Sequence, residues 1–595
     1  MLYQSFWLLF LSLTGIISID PSRKLEIMLP MRDNIKLHTI IFFPRDYEEG
    51  KKYTAVVDRS PYGYGDMEWL TDIFLPFGFV AVGQDMRGTE LSEGNFTMWQ
   101  SDKWDSEDLG NWIVSQEWSN GKIFTLGASA DGIASLQTPV NNPPWLEAQY
   151  IVWAPANMYD ILFPYGTYKQ ETTEDWLFGL EMPNPDVVYD NIQTVYDNEA
   201  ETPYWQGIIT DDEVYANVHC PSAFWAGWYD LFIVGTLEAF EGYNTKSNPA
   251  VRYTSKMTID PLGHCLDGSE FFTEDVVMGR TLLMIAQLFE VYGIRPVARR
   301  NIKNITFYVM SSNDEAGKQA GQYWTSLETW PTPKMTNYYF HSDGTLSTSR
   351  PSTSEKVDHT SYKVDPANPV VTVGGNNLPP DIGGSINCGP MDQSEVDKRD
   401  DVLLFQTPPL SSDLPLTGGL YATLYVSSDV IDTDFMVKIS DLYPTGEAIL
   451  IQDNAIRMRW REGGLKPVYM KEGVVYEVTI NLWNTSWIIP AGHSLRVSVQ
   501  SSNNPRFSVN PHNGLLLNDP LYPGENIVAT NTLYHSFKYP SHITLPVVNK
   551  RQIPEIHLLK EVQEVYPEIT TEMAKKFSDG LMNHIKGKFS SKNKK

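Results

Sequence analysis

Cysteine is scarce in this 595-residue chain: only Cys220, Cys265 and Cys388 occur. A chain of this length can bury its own core and needs no disulfide staples, and an odd count leaves at least one thiol unpaired or intermolecular. Cys220 opens a strand and Cys265 follows the far end of the next one. A six-residue strand spans about 20 Å, well beyond disulfide reach, so these two are not expected to bond. No Cys-x-x-Cys pair or His/Cys cluster occurs, so neither a metal nor a cofactor is expected. Basic residues are also few, 46 against 73 acidic, for a formal net charge of -27. That balance argues against a nucleic-acid partner, which demands clustered Lys and Arg. Long apolar runs are missing too. The longest, Phe6 to Ile17, is shorter than the roughly 20 residues a membrane span needs.

That run is expected to be the core of a signal peptide over residues 1–18, with Ser18 as the small residue before cleavage. A buried N-terminal helix is the plainer alternative. Three sequons begin at Asn95, Asn304 and Asn484 and fit secretion or delivery to an endomembrane lumen. The length implies two to four domains.

Residues 24–43 alternate like a hairpin turning at Arg32-Asp33-Asn34. Short β-branched runs follow at 53–58, 79–84, 122–126 and 150–153, interleaved with helical spacing around Leu109, Trp112 and Ile113 and over 132–138. Short buried strands alternating with helices predict a mostly parallel sheet covered on both faces, that is, an α/β fold. Residues 156–216 break the rhythm with Tyr, Trp, Pro and acidic groups and read as an inserted helical cap. The sheet pattern resumes at 222–226 and 255–259, completing a first unit that ends at 341. Residues 342–400, rich in Ser, Thr, Pro, Gly and Asn, read as a linker. From 401 to 562 half-buried alternation recurs, as at Leu495, Val497 and Val499, and predicts a β-sandwich. The last stretch, 563–595, spaces Ile569, Met573, Phe577, Leu581 and Ile585 four apart with seven lysines after Thr571, an amphipathic basic helix.

Chemistry concentrates at Gly127-Ala128-Ser129-Ala130-Asp131-Gly132, where a predicted strand runs into a Gly-x-Ser turn and then a helix. A nucleophile elbow needs this arrangement: the turn projects the hydroxyl, and the helix N-terminus faces a developing oxyanion. The second glycine stands three residues after the serine rather than two. Alone the motif is weak, because Gly and Ser are ordinary turn residues. Asp230 and His264 follow in the order such hydrolases use, each just beyond a predicted strand. A helix N-cap at Asp230 and a surface-loop histidine at His264 are the plainer alternatives.

With Pro30-Met-Arg-Asp-Asn-Ile-Lys-Leu37, Arg59-Ser-Pro-Tyr62, Gln84-Asp-Met-Arg-Gly88, Ala226-Gly-Trp-Tyr-Asp230, Arg457-Met-Arg-Trp-Arg461 and Ser502-Asn-Asn-Pro-Arg-Phe507, the chain resembles the X-Pro dipeptidyl-peptidase/cocaine-esterase family, with glutaryl-cephalosporin acylases and α-amino-acid ester hydrolases as relatives. The resemblance implies an α/β-hydrolase with a helical cap and a C-terminal jelly roll. It implies Ser129 as nucleophile, His264 as base and Asp230 as its orienting acid. Tyr62 and the Ala130 N–H would form the oxyanion hole, with Tyr64 a bystander. Two departures stand out. Ala130 replaces the family's bulky aromatic, and Leu231-Phe232-Ile233 replaces the acidic residues that hold an amine in the α-amino-acid ester hydrolases. The expected activity is hydrolysis of an ester or amide, carboxylesterase-like or dipeptidyl-peptidase-like, on a small-molecule or short-peptide substrate; the oligomeric state is left open. The alternative is an inactive hydrolase scaffold that binds through its β domain. That domain is expected to dock on the catalytic one, with Arg457, Arg459, Trp460, Arg461, Asn503, Arg506 and Phe507 as its polar and aromatic set; the plainer alternative is that alternation puts Arg457, Arg459 and Arg461 on a solvent face.

Overall fold

The computed structural model describes residues 23–63, 71, 74–264, 274–293, 302–353, 358–380, 383–567, 569–572 and 574–575. The expected signal peptide, Tyr64, Cys265 and most of the basic C-terminal helix lie outside them. Among the described residues no helix is long and apolar enough to cross a membrane.

Ten strands build the first sheet: β1 Arg23–Pro30, β2 Lys36–Phe43, β3 Tyr53–Ser60, β4 Val80–Asp85, β5 Ser119–Ala128, β6 Leu146–Val152, β7 Ser222–Tyr229, β8 Lys256–Gly263, β9 Ile305–Ser311 and β10 Tyr323–Leu327. Pairing runs β1-β2-β4-β3-β5-β6-β7-β8-β9-β10. It is parallel from β4 through β9 and antiparallel at both edges. The central strands β4, β7 and β8 are buried at every position, as expected of parallel strands covered on both faces. Helices α1 Asp102–Ser115 and α2 Ala130–Gln137 follow β4 and β5. The segment 156–216 holds the short helices α3 Met158–Leu162, α4 Gln170–Gly179, α5 Asp186–Asp197, α6 Pro203–Gln206 and α7 Asp212–Asn217. Helix α8, Ile233–Lys246, follows β7.

The β domain starts earlier than the composition implied. Strand β11, Lys334–Phe340, pairs with β21, His542–Val547. β12, Leu346–Ser347, pairs with β11, and β13, His359–Val364, pairs with β20, Ala529–Tyr534. Residues 342–400 are therefore not a plain linker; their Ser, Thr, Pro and Gly content reflects tight turns between edge strands. One sheet centres on β15, Leu414–Ser428, and β18, Tyr476–Ile489. The other orders β14 Leu403–Gln406, β19 Ser494–Gln500, β16 Asp434–Leu442 and β17 Ala448–Arg457. Their facing side chains, among them Leu424, Val426, Ile480, Phe435, Val437 and Val497, share one core with the hydrolase unit. β18 also pairs parallel with β9.

The arginines correct the solvent-face reading. Arg457 and Arg459 are fully buried. A 3-10 turn at Met458–Trp460 ends β17 and breaks the two-residue alternation. Arg457 pairs with Asp434, and Arg459 bridges Asp432 to Glu199 of the inserted segment. Phe507 is buried against Met436 and Ala455.

Candidate active site

Ser129 sits between β5 and α2 with φ 61° and ψ -123°, a region that costs a non-glycine residue about 1–3 kcal/mol and persists only when the surroundings enforce it. Two glycines enforce it. A Cβ on Gly127 would lie 2.3 Å from the Asp131 carbonyl oxygen, and one on Gly132 would lie 2.7 Å from the Ala154 Cβ and 2.9 Å from the Val152 carbonyl oxygen. Strand, turn and helix can close only where those side chains are missing. The Ser129 N–H donates to Val152 O, 2.9 Å. Ser129 is half-buried, so its hydroxyl can meet a substrate.

From that hydroxyl a relay runs inward. Ser129 Oγ lies 2.8 Å from His264 Nε2, and His264 Nδ1 lies 2.6 Å from Asp230 Oδ2. Asp230 is fully buried and His264 almost so. The other carboxylate oxygen of Asp230 accepts from the Phe232 N–H, 2.7 Å, which fixes the carboxylate in the turn that leads into α8. Asp230 therefore faces the histidine and braces the turn, but it is not the helix N-cap: α8 is entered through Phe232, with no side-chain cap. His264 directly follows β8 and is buried rather than exposed on a surface loop. Trp153 and Phe232 flank its ring at 5.7 and 5.3 Å between centroids. This geometry can activate a hydroxyl and hold the resulting imidazolium, and its walls are apolar. The binding-scaffold alternative would have been favoured by a missing member, and all three are present and bonded.

Tyr62 is half-buried beyond the end of β3, and its hydroxyl accepts from Trp176 Nε1 on α4, 2.8 Å. Ala130, the first residue of α2, offers its carbonyl to Trp99 Nε1, 3.0 Å. The indoles of Trp99 and Trp176 stack at 5.3 Å and 7°. Neither tryptophan was singled out in the sequence.

The β domain reaches the back of the site. Asn376 Nδ2 donates to the carbonyls of Trp228 and Asp230, at 3.1 and 2.9 Å, and Gln452 Nε2 to Trp228 O, 2.8 Å. Ser385 N–H donates to Glu171 on α4, 2.7 Å. Burial pushes the Glu171 carboxyl up to about 7. Lys169, fully buried, places its amine 4.4 Å from the centre of the Trp483 ring. Burial, with the Arg506 charge in the same sense, holds that amine well below the usual lysine range. Among the described residues no group of His, Cys, Asp and Glu is arranged to hold a metal ion.

Comparison with known families extends this picture. The description X-Pro dipeptidyl-peptidase (S15 family) matches residues 33–266, and X-Pro dipeptidyl-peptidase C-terminal non-catalytic domain matches 303–544. The chain belongs to the X-Pro dipeptidyl-peptidase/cocaine-esterase family. It is a serine hydrolase that cleaves ester or peptide bonds. Cocaine esterase of Rhodococcus sp. (strain MB1 Bresler) is 27% identical, over 88% of this chain and 98% of the relative. An α-amino acid ester hydrolase structure superimposes with TM-score 0.74 at 23% identity, covering 90% of this chain and 98% of that one. An aminopeptidase from a marine sediment archaeon, Thaumarchaeota archaeon, gives 0.75 at 22% identity over the same shares. Both share the fold of this S15-family chain.

Proposed function

We propose that this S15-family hydrolase is a carboxylesterase working through an acyl-enzyme on Ser129. Ser129 Oγ attacks the carbonyl carbon while its proton passes to His264 Nε2. Asp230 holds the imidazole and balances its charge. The tetrahedral oxyanion is received by the Tyr62 hydroxyl and the Ala130 N–H. His264 returns the proton to the departing alkoxide, and water repeats the sequence to release the acid. The observation that carries the reading is the unbroken Ser129–His264–Asp230 relay, 2.8 and 2.6 Å. Ester rather than amine-bearing substrates are favoured by the apolar run Leu231-Phe232-Ile233 behind Asp230. Dipeptidyl-peptidase activity is the second reading, favoured by the match of residues 33–266 to the X-Pro dipeptidyl-peptidase (S15 family).

A fluorophosphonate probe and two chromogenic substrates test this. Labelling is expected in the wild type and absent in Ser129→Ala, whose thermal midpoint stays unchanged. 4-Nitrophenyl butyrate is expected to exceed Ala-Pro-4-nitroanilide in kcat/KM. Labelling of Ser129→Ala ends the nucleophile assignment, and the reverse substrate order selects the peptidase.

We further propose passage through the secretory route, with cleavage after Ser18 and glycosylation at Asn95. Asn95 is exposed. Asn304 already spends its amide on Lys256 and Tyr253, and Asn484 lies within β18 beside the buried Thr485 and Ser486.

A further inference from the structure

We propose that Trp176 is a positioning residue for the oxyanion hole: its indole N–H fixes the Tyr62 hydroxyl, so the inserted helix α4 takes part in stabilising the transition state. The proposal rests on the reading of Tyr62 given above. A phenol oxygen both donates and accepts. Trp176 Nε1, 2.8 Å away, engages the oxygen as an acceptor. The phenol proton is then confined to the remaining directions, and a hydroxyl that accepts one hydrogen bond donates a stronger one. Both effects serve a donor that must be aimed before charge develops rather than after.

The partner donor is held from the same place. Trp99 Nε1 donates to Ala130 O, 3.0 Å, and so ties down the residue whose N–H faces the oxyanion. The two indoles are nearly coplanar in their stack, and Phe96 meets both edge-on at 5.9 and 6.0 Å. Met98 and Trp99 adopt left-handed backbone, φ 48° and 65°, a conformation that side-chain-bearing residues keep only under constraint. One aromatic block, with Trp176 from the inserted segment and Phe96 and Trp99 from the loop before α1, thus supports both oxyanion donors.

The test is a double-mutant cycle with 4-nitrophenyl butyrate. Tyr62→Phe is expected to lower kcat by about 10²–10³. Trp176→Phe keeps the ring stack and loses the N–H; kcat is expected to fall about fivefold to tenfold, the size of one neutral hydrogen bond, with KM nearly unchanged. In the Tyr62→Phe background the same substitution is expected to change kcat by less than about twofold. Trp176→His, which restores a ring N–H, is expected to recover part of the loss. It also carries the comparison should Trp176→Phe fold poorly by circular dichroism. Affinity for butylboronic acid, a tetrahedral mimic, is expected to fall with kcat. If the Trp176→Phe loss persists undiminished without the Tyr62 hydroxyl, or appears only in KM, the residue merely packs and the proposal is overturned. A wild-type kcat in Tyr62→Phe removes the oxyanion reading and the proposal with it, whereas a deep Tyr62→Phe defect beside an unaffected Trp176→Phe removes the proposal alone.

Discussion

Replacing Glu199 by alanine is expected to loosen the inserted segment from the β domain. Glu199 is 3% exposed. Its Oε1 takes Arg459 Nη2 and Nε together with Trp460 Nε1 at 2.9 Å, and its Oε2 accepts the Leu517 N–H at 2.8 Å. Alanine strands the Trp460 and Leu517 donors and leaves Arg459 with Asp432 alone. Breaking one side of a buried pair costs about 3–5 kcal/mol, a large share of the roughly 5–15 kcal/mol that holds a typical domain. Glu199→Gln retains acceptor oxygen but no charge, so about half the loss is expected. Urea titration read by tryptophan fluorescence should place the alanine variant's midpoint lowest and the glutamine variant between it and wild type. Limited proteolysis should cut first within residues 156–216. Because α4 carries Trp176, kcat should fall before global unfolding begins. A wild-type midpoint with an equally protected insert would show that this cluster does not hold the two parts together.

Two further substitutions probe other contacts. Asn376→Leu removes both amide bonds to the carbonyls of Trp228 and Asp230; Trp228 O keeps Gln452 and Asp230 O keeps the Ile233 N–H, so each lost bond costs about 0.5–1.5 kcal/mol, and kcat with 4-nitrophenyl butyrate is expected to drop because the Asp230 backbone is loosened, an effect a wild-type kcat would disprove. His493 is buried between Asp441 Oδ1, 2.7 Å, and Asp314 Oδ2, 3.0 Å, with the Tyr443 ring 4.7 Å away. Burial opposes its charge, but the two carboxylates outweigh burial and raise its pKa. Its stabilisation is therefore complete below the ordinary histidine value of about 6.5 and is lost as pH rises through the raised one. The urea-midpoint advantage of wild type over His493→Asn should shrink with rising pH, and an advantage that grows would refute the pairing.

The parallel sheet was legible because its strands are buried on both faces and carry short apolar stretches, as at Ala55–Val57 in Tyr53–Ser60 and Val80–Val82 in Val80–Asp85. The β domain's edge strands were not. β12 has two residues and β13 alternates in a Ser/Thr-rich setting, so their composition matches loop. Arg457 and Arg459 were misplaced for a related reason: alternation describes a strand only until it ends, and nothing in Arg457-Met-Arg-Trp-Arg461 marks the 3-10 turn. The triad could be found because its members follow strand ends in a fixed order. Its supports could not. Trp176 is 114 residues from Tyr62, Trp99 is 31 from Ala130 and Asn376 is 146 from Asp230; contacts at such separations leave no local spacing to read.

The elbow shows how a motif can fail in letters and hold in physics. A pattern that counts glycines wants one two residues after Ser129 and meets Asp131 instead. The constraint concerns volume rather than counting. Helix α2 starts so close to β5 that a Cβ on Gly127 would meet the backbone of residue 131 itself, and a Cβ on Gly132 would strike Val152 and Ala154. Glycine is needed at 127 and 132, where backbones cross. Position 131 presses its carbonyl on Gly127 and is free to carry a side chain, which this chain uses for a buried carboxylate in the first turn of α2. The strain at Ser129 is then sustained by two missing side chains, one where the letter pattern puts it and one a residue later, and the hydroxyl still arrives 2.8 Å from His264.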